Sequence, residues 1–160
     1  MQTAMPIRFF ARQKMINSEG SINLIQNVFS KKTIPKEIAE KKIFLIDDSE
    51  TSILLLKLLL EGYGFTNLHT FTHHEPLLNS IQDKPDLIIT DIEMSINNTD
   101  GIILYNQLKE LGFHNTLFVT AYSESELYIY YSEYINILIN NILYKPIQPS
   151  MIDTIIKRLE

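Results

Sequence analysis

The sequence predicts an α/β fold of type (βα)5, a doubly wound parallel sheet, preceded by a non-globular or helical N-terminal extension. Three observations carry this. Short continuous apolar runs recur at Ile43–Ile46, Leu87–Thr90 and Thr116–Val119, and such runs read as strands buried on both faces. Stretches of helical length lie between them. Polar residues end the runs, and glycine or proline punctuates the returns. Parallel strands need crossover connections, so the alternation implies helices on both faces of the sheet.

The elements follow in order. Ile43-Phe44-Leu45-Ile46 is the first strand and ends in Asp47-Asp48. Ser49 to Leu60 reads as a helix, with Gly62 and Gly64 as stop signals. Asn67 to Phe71 is a weaker strand, and Glu75 to Gln82 a short helix blurred at its start by His73, His74 and Pro76. Leu87-Ile88-Ile89-Thr90 ends in Asp91, and Gly101 to Leu111 is an amphipathic helix stopped by Gly112. Thr116 to Val119 ends in Thr120, and Ser123 to about Asn136 is helical. Ile142-Leu143-Tyr144 ends in Lys145-Pro146, and Pro149 to Glu160 is a terminal helix. Before residue 43 the order is weaker: residues 15–29 suit one helix, which Gly20 and its polar neighbours weaken, and residues 31–42 read as linker-like with a short helical stretch after Pro35.

The 160 residues suffice for one domain with a modest extension. With no cysteine, disulfides, thiolate zinc sites and thiol catalysis are excluded. No apolar run reaches 18 residues and the N-terminus lacks a secretory apolar stretch, so a cytoplasmic location without membrane contact is the expectation. The net charge of −5 is uneven. Residues 1–42 carry eight Lys/Arg against three acids, a net +5, and residues 43–160 carry six against sixteen, a net −10. A basic extension (1–42) before an acidic domain (43–160) is the expected organisation. The extension is either a contact for an anionic partner or a solvated linker. Its aromatic–basic interleaving is confined to Arg8-Phe9-Phe10-Ala11-Arg12, thin support for nucleic-acid binding.

In open α/β sheets the site lies beyond the carboxyl ends of the strands. Four strand ends here deliver Asp47, Asp48, Asp91, Thr120 and Lys145 to one rim. Three carboxylates forced together repel and call for a cation. Without histidine or cysteine at the strand ends the ligands are all oxygen, which suits Mg²⁺. Lys145 and the Thr120 hydroxyl are placed to hold phosphoryl oxygens, and phosphoryl transfer asks chiefly for positioning and charge neutralisation. Asp91, central and alone on its strand end, is the candidate nucleophile.

The pieces IFLIDDSE, DLIITDIEM, LFVTAYS and LYKP stand in this order, with 43 residues from Asp48 to Asp91, 29 on to Thr120 and 25 on to Lys145. From Ile43 to Glu160 the chain resembles the receiver domain of two-component response regulators. The resemblance implies a three-layer, flavodoxin-like sheet with strand order 2-1-3-4-5. It implies Asp91 as phosphoacceptor, Asp48 as direct Mg²⁺ ligand, Asp47 as a ligand acting through water, and the Glu93 backbone carbonyl as completing the metal site. Thr120 resembles the switch hydroxyl, Lys145 the lysine that pairs with the phosphoryl group, Pro146 the proline that commonly follows in a cis peptide, and Ala121 the small residue beside the phosphate. Glu93 and Tyr122 fall at positions that tune dephosphorylation in the family.

The implied function is that of a phosphoacceptor module. It would take its phosphoryl group from a histidine kinase or histidine phosphotransfer protein and switch the surface of the fourth helix, fifth strand and fifth helix toward a downstream partner. Self-catalysed phosphorylation and dephosphorylation are the only chemistry expected, so the chain is not an enzyme in the ordinary sense, and the domain itself is not expected to bind nucleic acid. A degenerate receiver acting as a phosphorylation-independent interaction module is the alternative. A nucleotide- or flavin-binding enzyme is disfavoured, because Asp47-Asp48 stand where a phosphate-binding glycine loop would be needed.

The chain departs from the family pattern at three places. Ser95 replaces a proline, and Asp100-Gly101 come two residues late, lengthening the loop at 95–100. Ile142 stands three residues before the lysine, where an aromatic is usual, and Tyr144 alternates to the other face. Leu138-Ile139 replace the usual Gly-Ala, predicting a reshaped end of the fourth helix. Two surfaces stand out. Leu54 and Leu58 are expected outside the core stripe of the first helix, as a partner surface or a seat for residues 15–29. Tyr128, Tyr130, Tyr131 and Tyr134 stud the fourth helix, as an interface or as partly buried rings. His69, His73 and His74 read as a polar turn rather than a metal site.

Overall fold

The structure, a computed structural model, describes residues 34–94 and 100–160. The expected helix over 15–29 and the loop residues 95–99 lie outside the described residues. Five strands form one parallel sheet: β1 (Ile43–Ile46), β2 (Leu68–Phe71), β3 (Leu87–Asp91), β4 (Thr116–Thr120) and β5 (Ile142–Tyr144). Their order is β2-β1-β3-β4-β5, as the resemblance implied. The central three are buried at every position, which is why they read as unbroken apolar runs.

The connecting helices are α1 (Glu50–Gly62), α2 (His74–Asn79), α3 (Gly101–Glu110), α4 (Glu124–Tyr130) and α5 (Met151–Leu159). Side chains alternate across each strand. Phe44, Ile46 and Ile88 face Leu77 of α2 and Leu104 and Leu108 of α3. Phe118 faces Leu127 of α4 and Leu138. On the opposite face Leu45, Ile89 and Val119 line a small cavity with Ile53 and Leu56 of α1, and α5 covers Leu117. Three layers result, with α2, α3 and α4 on one side and α1 and α5 on the other.

The helix starts are set by local chemistry. The Ser49 side chain accepts the Ser52 N–H and the Asp100 side chain accepts the Ile103 N–H. Ser123 and Glu126 form a reciprocal capping box at the start of α4. Each cap satisfies a donor that the first helical turn leaves unpaired. Gly64, at φ 101°, makes the left-handed turn that returns the chain after α1.

Two boundaries differ from the sequence reading. Residues 34–42, assigned there to the extension, belong to the unit that holds the sheet. The helical stretch expected after Pro35 forms at Lys36–Ala39 and buries Ile38, the Ala39 carbonyl accepts the Thr66 N–H, and the Asp86 carboxylate accepts the Lys42 N–H. The fourth helix also stops early. It ends at Tyr130 and passes through a 3₁₀ turn (Ser132–Tyr134) and one α-turn (Ile135–Leu138). The run Tyr128-Ile129-Tyr130-Tyr131-Ser132 crowds aromatic, β-branched and backbone-competing side chains, all weak in helix interiors. The reshaping expected at Leu138-Ile139 therefore begins about two turns sooner, at Tyr131.

Candidate functional site

The parallel register brings the strand ends level. Ile46 pairs with Thr90, Asp91 with Val119, and Thr120 with Tyr144. Asp47 and Asp48 follow β1, Asp91 closes β3, Thr120 closes β4 and Lys145 follows β5, so all five candidates reach one rim. The carboxylates of Asp47, Asp48 and Asp91 each offer an oxygen, and these oxygens lie within 4.8 Å of one another.

Lys145 ties the acids together. Its Nζ donates to Asp47 Oδ2 at 3.0 Å and lies 3.2 Å from Asp91 Oδ2. Burial pulls the lysine pKa down, but Asp91 and Asp47 outweigh it and hold it above the ordinary value. Asp91 behaves differently. Burial raises its pKa to about 6, against the pull of Lys145 and with help from the charges of Asp47 and Glu93. Its Oδ1 is buried and has no hydrogen-bond partner. Asp47 uses both oxygens, since Oδ1 accepts the Ser49 N–H at 2.8 Å while Oδ2 takes Lys145.

This donor set fits a hard divalent cation. The ligands are all oxygen, and an orphaned carboxylate oxygen on Asp91 is an expensive buried group without a positive partner. Asp47, already bonded through both oxygens, is suited to a contact through water. Asp48, half-buried beside it, contributes an oxygen to the same cluster. The three histidines do not converge. His69 bonds Asn67 and His73 bonds Thr72, and burial lowers the pKa of His74. Among the described residues, the aspartate trio is the one group of three with metal-ligand spacing.

Thr120 is fully buried, and its Oγ1 accepts the Tyr122 N–H at 3.0 Å. The Lys145 N–H donates to the Thr120 carbonyl at 2.7 Å, and the Lys145–Pro146 peptide is cis. Glu93, half-buried, hydrogen-bonds the Tyr122 side chain, and chiefly for that reason the tyrosine pKa rises to about 12. That link is legible in retrospect, because the two residues lie equally far past the ends of paired strands.

Gly101, which the sequence puts at the start of an amphipathic helix and in the displaced Asp-Gly pair, has a packing role that no motif signals. Its N–H donates to the Ile92 carbonyl at 2.9 Å, and a Cβ there would stand 2.2 Å from the Asp91 carbonyl oxygen. The start of α3 thus presses on the backbone of the central aspartate, which only glycine permits. The expected surfaces are present. Leu54 and Leu58 are each 53% exposed, and Leu55, not singled out from sequence, is 47% exposed. Tyr128 and Tyr130 are exposed, while Tyr131 and Tyr134 pack partly against the Phe118 cluster.

Comparison with known proteins gives a consistent answer. The sequence profile described as "Response regulator receiver domain" matches residues 43–157. The chain is 34% identical over 70 residues to the alkaline phosphatase synthesis transcriptional regulatory protein PhoP of Bacillus subtilis (strain 168). That match covers 44% of this chain and 28% of the relative, so the chain aligns with little more than a quarter of that protein. Among solved structures, a CheY-like response regulator receiver domain from Methylobacillus flagellatus superposes with a TM-score of 0.63 at 19% identity, covering 76% of this chain and 99% of that one. The N-terminal domain of a response regulator/sensory box/GGDEF protein from Carboxydothermus hydrogenoformans gives a TM-score of 0.61 at 22% identity, covering 74% and 93%.

Proposed function

The chain belongs to the response regulator receiver family, and on that premise we propose that it is a working phosphoacceptor in a two-component phosphorelay, with Asp91 as the residue modified. The observation that carries this is the state of Asp91: central, buried, paired to Lys145 through one oxygen and left with the other unpartnered.

In the step proposed, an Asp91 oxygen attacks the phosphorus of a phosphohistidine on a partner kinase or phosphotransfer protein. The O–P bond forms as the P–N bond breaks, and the departing imidazole takes up a proton. The Lys145 ammonium moves from carboxylate to phosphoryl oxygen, and the Thr120 hydroxyl donates to another. Asp48, Asp91 and the Glu93 backbone carbonyl would hold Mg²⁺, with Asp47 acting through water. That ion would supply charge neutralisation to the phosphoryl group in transfer. Water then hydrolyses the acyl phosphate slowly, returning the carboxylate. The phosphoryl group adds charge of roughly −1.5 to −2 by analogy with other phospho-residues. That charge draws Thr120 and Lys145 inward and biases the α4/β5/α5 surface toward a downstream partner.

The test is phosphate incorporation from acetyl phosphate, followed by intact mass with Mg²⁺ and with EDTA. Mg²⁺-dependent incorporation is expected. A folded chain that neither binds Mg²⁺ nor incorporates phosphate would overturn the proposal.

A further inference from the structure

The usual aromatic three residues before the lysine is absent here. Ile142 stands there, paired with Phe118 across the sheet and packed against its cluster. Another aromatic occupies the ground between the rim and α4. The Tyr122 backbone N–H is bonded to Thr120 Oγ1, and its side chain is bonded to Glu93. Its ring centroid lies 5.3 Å from that of Tyr130 and 6.0 Å from that of Tyr131, both within the range of favourable aromatic pairs. Tyr131 caps the C-terminus of α4 with backbone angles of −131° and 34°, outside the helical region. Tyr122 therefore touches the switch hydroxyl, the β3 loop and the point where the fourth helix breaks. Tyr122 also directly precedes Ser123, the N-cap of α4.

Resting on the phosphoacceptor reading above, we infer that Tyr122 is the positioning residue that couples Asp91 chemistry to α4, through its contacts with Thr120, Tyr130 and Tyr131. Drawing Thr120 toward Asp91 either drags the Tyr122 amide with it or breaks that bond. In both cases the ring shifts against the Tyr130–Tyr131 pair, and the break at Tyr131 is the element with two arrangements to choose between.

The experiment uses the full chain, treated with acetyl phosphate and Mg²⁺. Incorporation on Asp91 and amide hydrogen exchange across 124–138 are read on the same samples. In the parent chain, incorporation is expected to change exchange in that segment by about fivefold or more, the low end of measured couplings. In Tyr122→Ala, the exchange response, read per phosphorylated chain whatever the level of incorporation, is lost. Tyr122→Phe, which keeps the ring contacts and deletes the hydroxyl, retains most of the response. Tyr130→Ala alters a ring that is 62% exposed, so it folds even if Tyr122→Ala does not, and its response is weakened. A full response in Tyr122→Ala or an undiminished one in Tyr130→Ala overturns the coupling and leaves the phosphoacceptor reading intact. A folded parent chain that neither binds Mg²⁺ nor incorporates phosphate overturns both.

Discussion

The Lys145 ammonium lies 3.2 Å from the Asp91 carboxylate, yet the pKa of that aspartate stands at about 6. Burial outweighs the ion pair. Lys145 divides its charge between Asp91 and Asp47, and Asp91 is left one oxygen short of a partner. The rim is therefore under-neutralised in the absence of a cation, and most of the expectations below follow from that imbalance.

The pH dependence of stability is the first consequence. A carboxyl group whose pKa rises on folding binds a proton in the native state that the unfolded state has lost. Its contribution to stability therefore falls as pH rises from about 4 to about 6, and stays reduced above. The full cost of ionised Asp91 at pH 7 is about 3 kcal/mol, from a rise from 3.8 to about 6. In EDTA, Asp91→Asn should melt several degrees above the parent at pH 7.5 and lose that advantage near pH 4. An offset that does not vary with pH would contradict this origin.

Mg²⁺ should relieve the same repulsion. Protonated Asp91 must lose its proton to serve as ligand, so Mg²⁺ affinity should rise as pH increases through 6 and level off above about 7. Titration by calorimetry at pH 5, 6 and 7.5 reads this directly. Equal affinity at all three values would remove Asp91 from the ligand set.

Lys145→Met should destabilise the fold and enlarge the effect of the metal. The pair is largely but not wholly buried, with the lysine side chain 23% exposed. The cost should accordingly fall below that of a fully buried pair, at about 1–3 kcal/mol. With its ammonium gone, the aspartate trio repels more strongly, so Mg²⁺ should raise the melting temperature of Lys145→Met by more than it raises the parent's. A smaller rise would mean that Lys145 does not compete with the cation for these carboxylates.

Gly101→Ala tests packing behind the site. An added methyl would meet the Asp91 carbonyl oxygen at 2.2 Å, and that neighbour is backbone rather than a flexible side chain, so α3 or the end of β3 must move. Overpacking of this kind costs about 1–3 kcal/mol. The variant should melt lower and, where folded, accept phosphate more slowly than the parent. A melting temperature equal to the parent's would show that α3 can shift freely relative to β3.

Much of this was legible in the chain itself. β1, β3 and β4 are buried on both faces, so their runs are apolar apart from the buried threonines Thr90 and Thr116, and their ends are marked by residues that can do chemistry. Those markers are Asp47, Asp91 and Thr120. That made the rim readable from single residues. What was not readable depends on contacts between distant segments. The close approach of Gly101 to Asp91 appears only once α3 packs against the end of β3. The early stop of α4 reflects several weak propensities summed over Tyr128–Ser132, while Leu127, Tyr131, Tyr134 and Leu138 keep a spacing suited to an unbroken helix. The exposure of Leu55 was not readable because nearly every position from Ile53 to Leu60 is apolar, and periodicity alone does not fix the edge of the buried face in such a run. The short helical stretch after Pro35 was readable, but its attachment to the sheet unit was not, because a single buried Ile38 gives no apolar period.

The central claim is that Asp91 itself carries the phosphoryl group. The most direct test is to phosphorylate the chain with acetyl phosphate and Mg²⁺, reduce the acyl phosphate with borohydride, and map the product by peptide mass spectrometry. Reduction converts an aspartyl phosphate to homoserine. The account predicts homoserine at position 91 and none at 47, 48 or 100. Homoserine at another position, or phosphate incorporation that survives in Asp91→Asn, would contradict it.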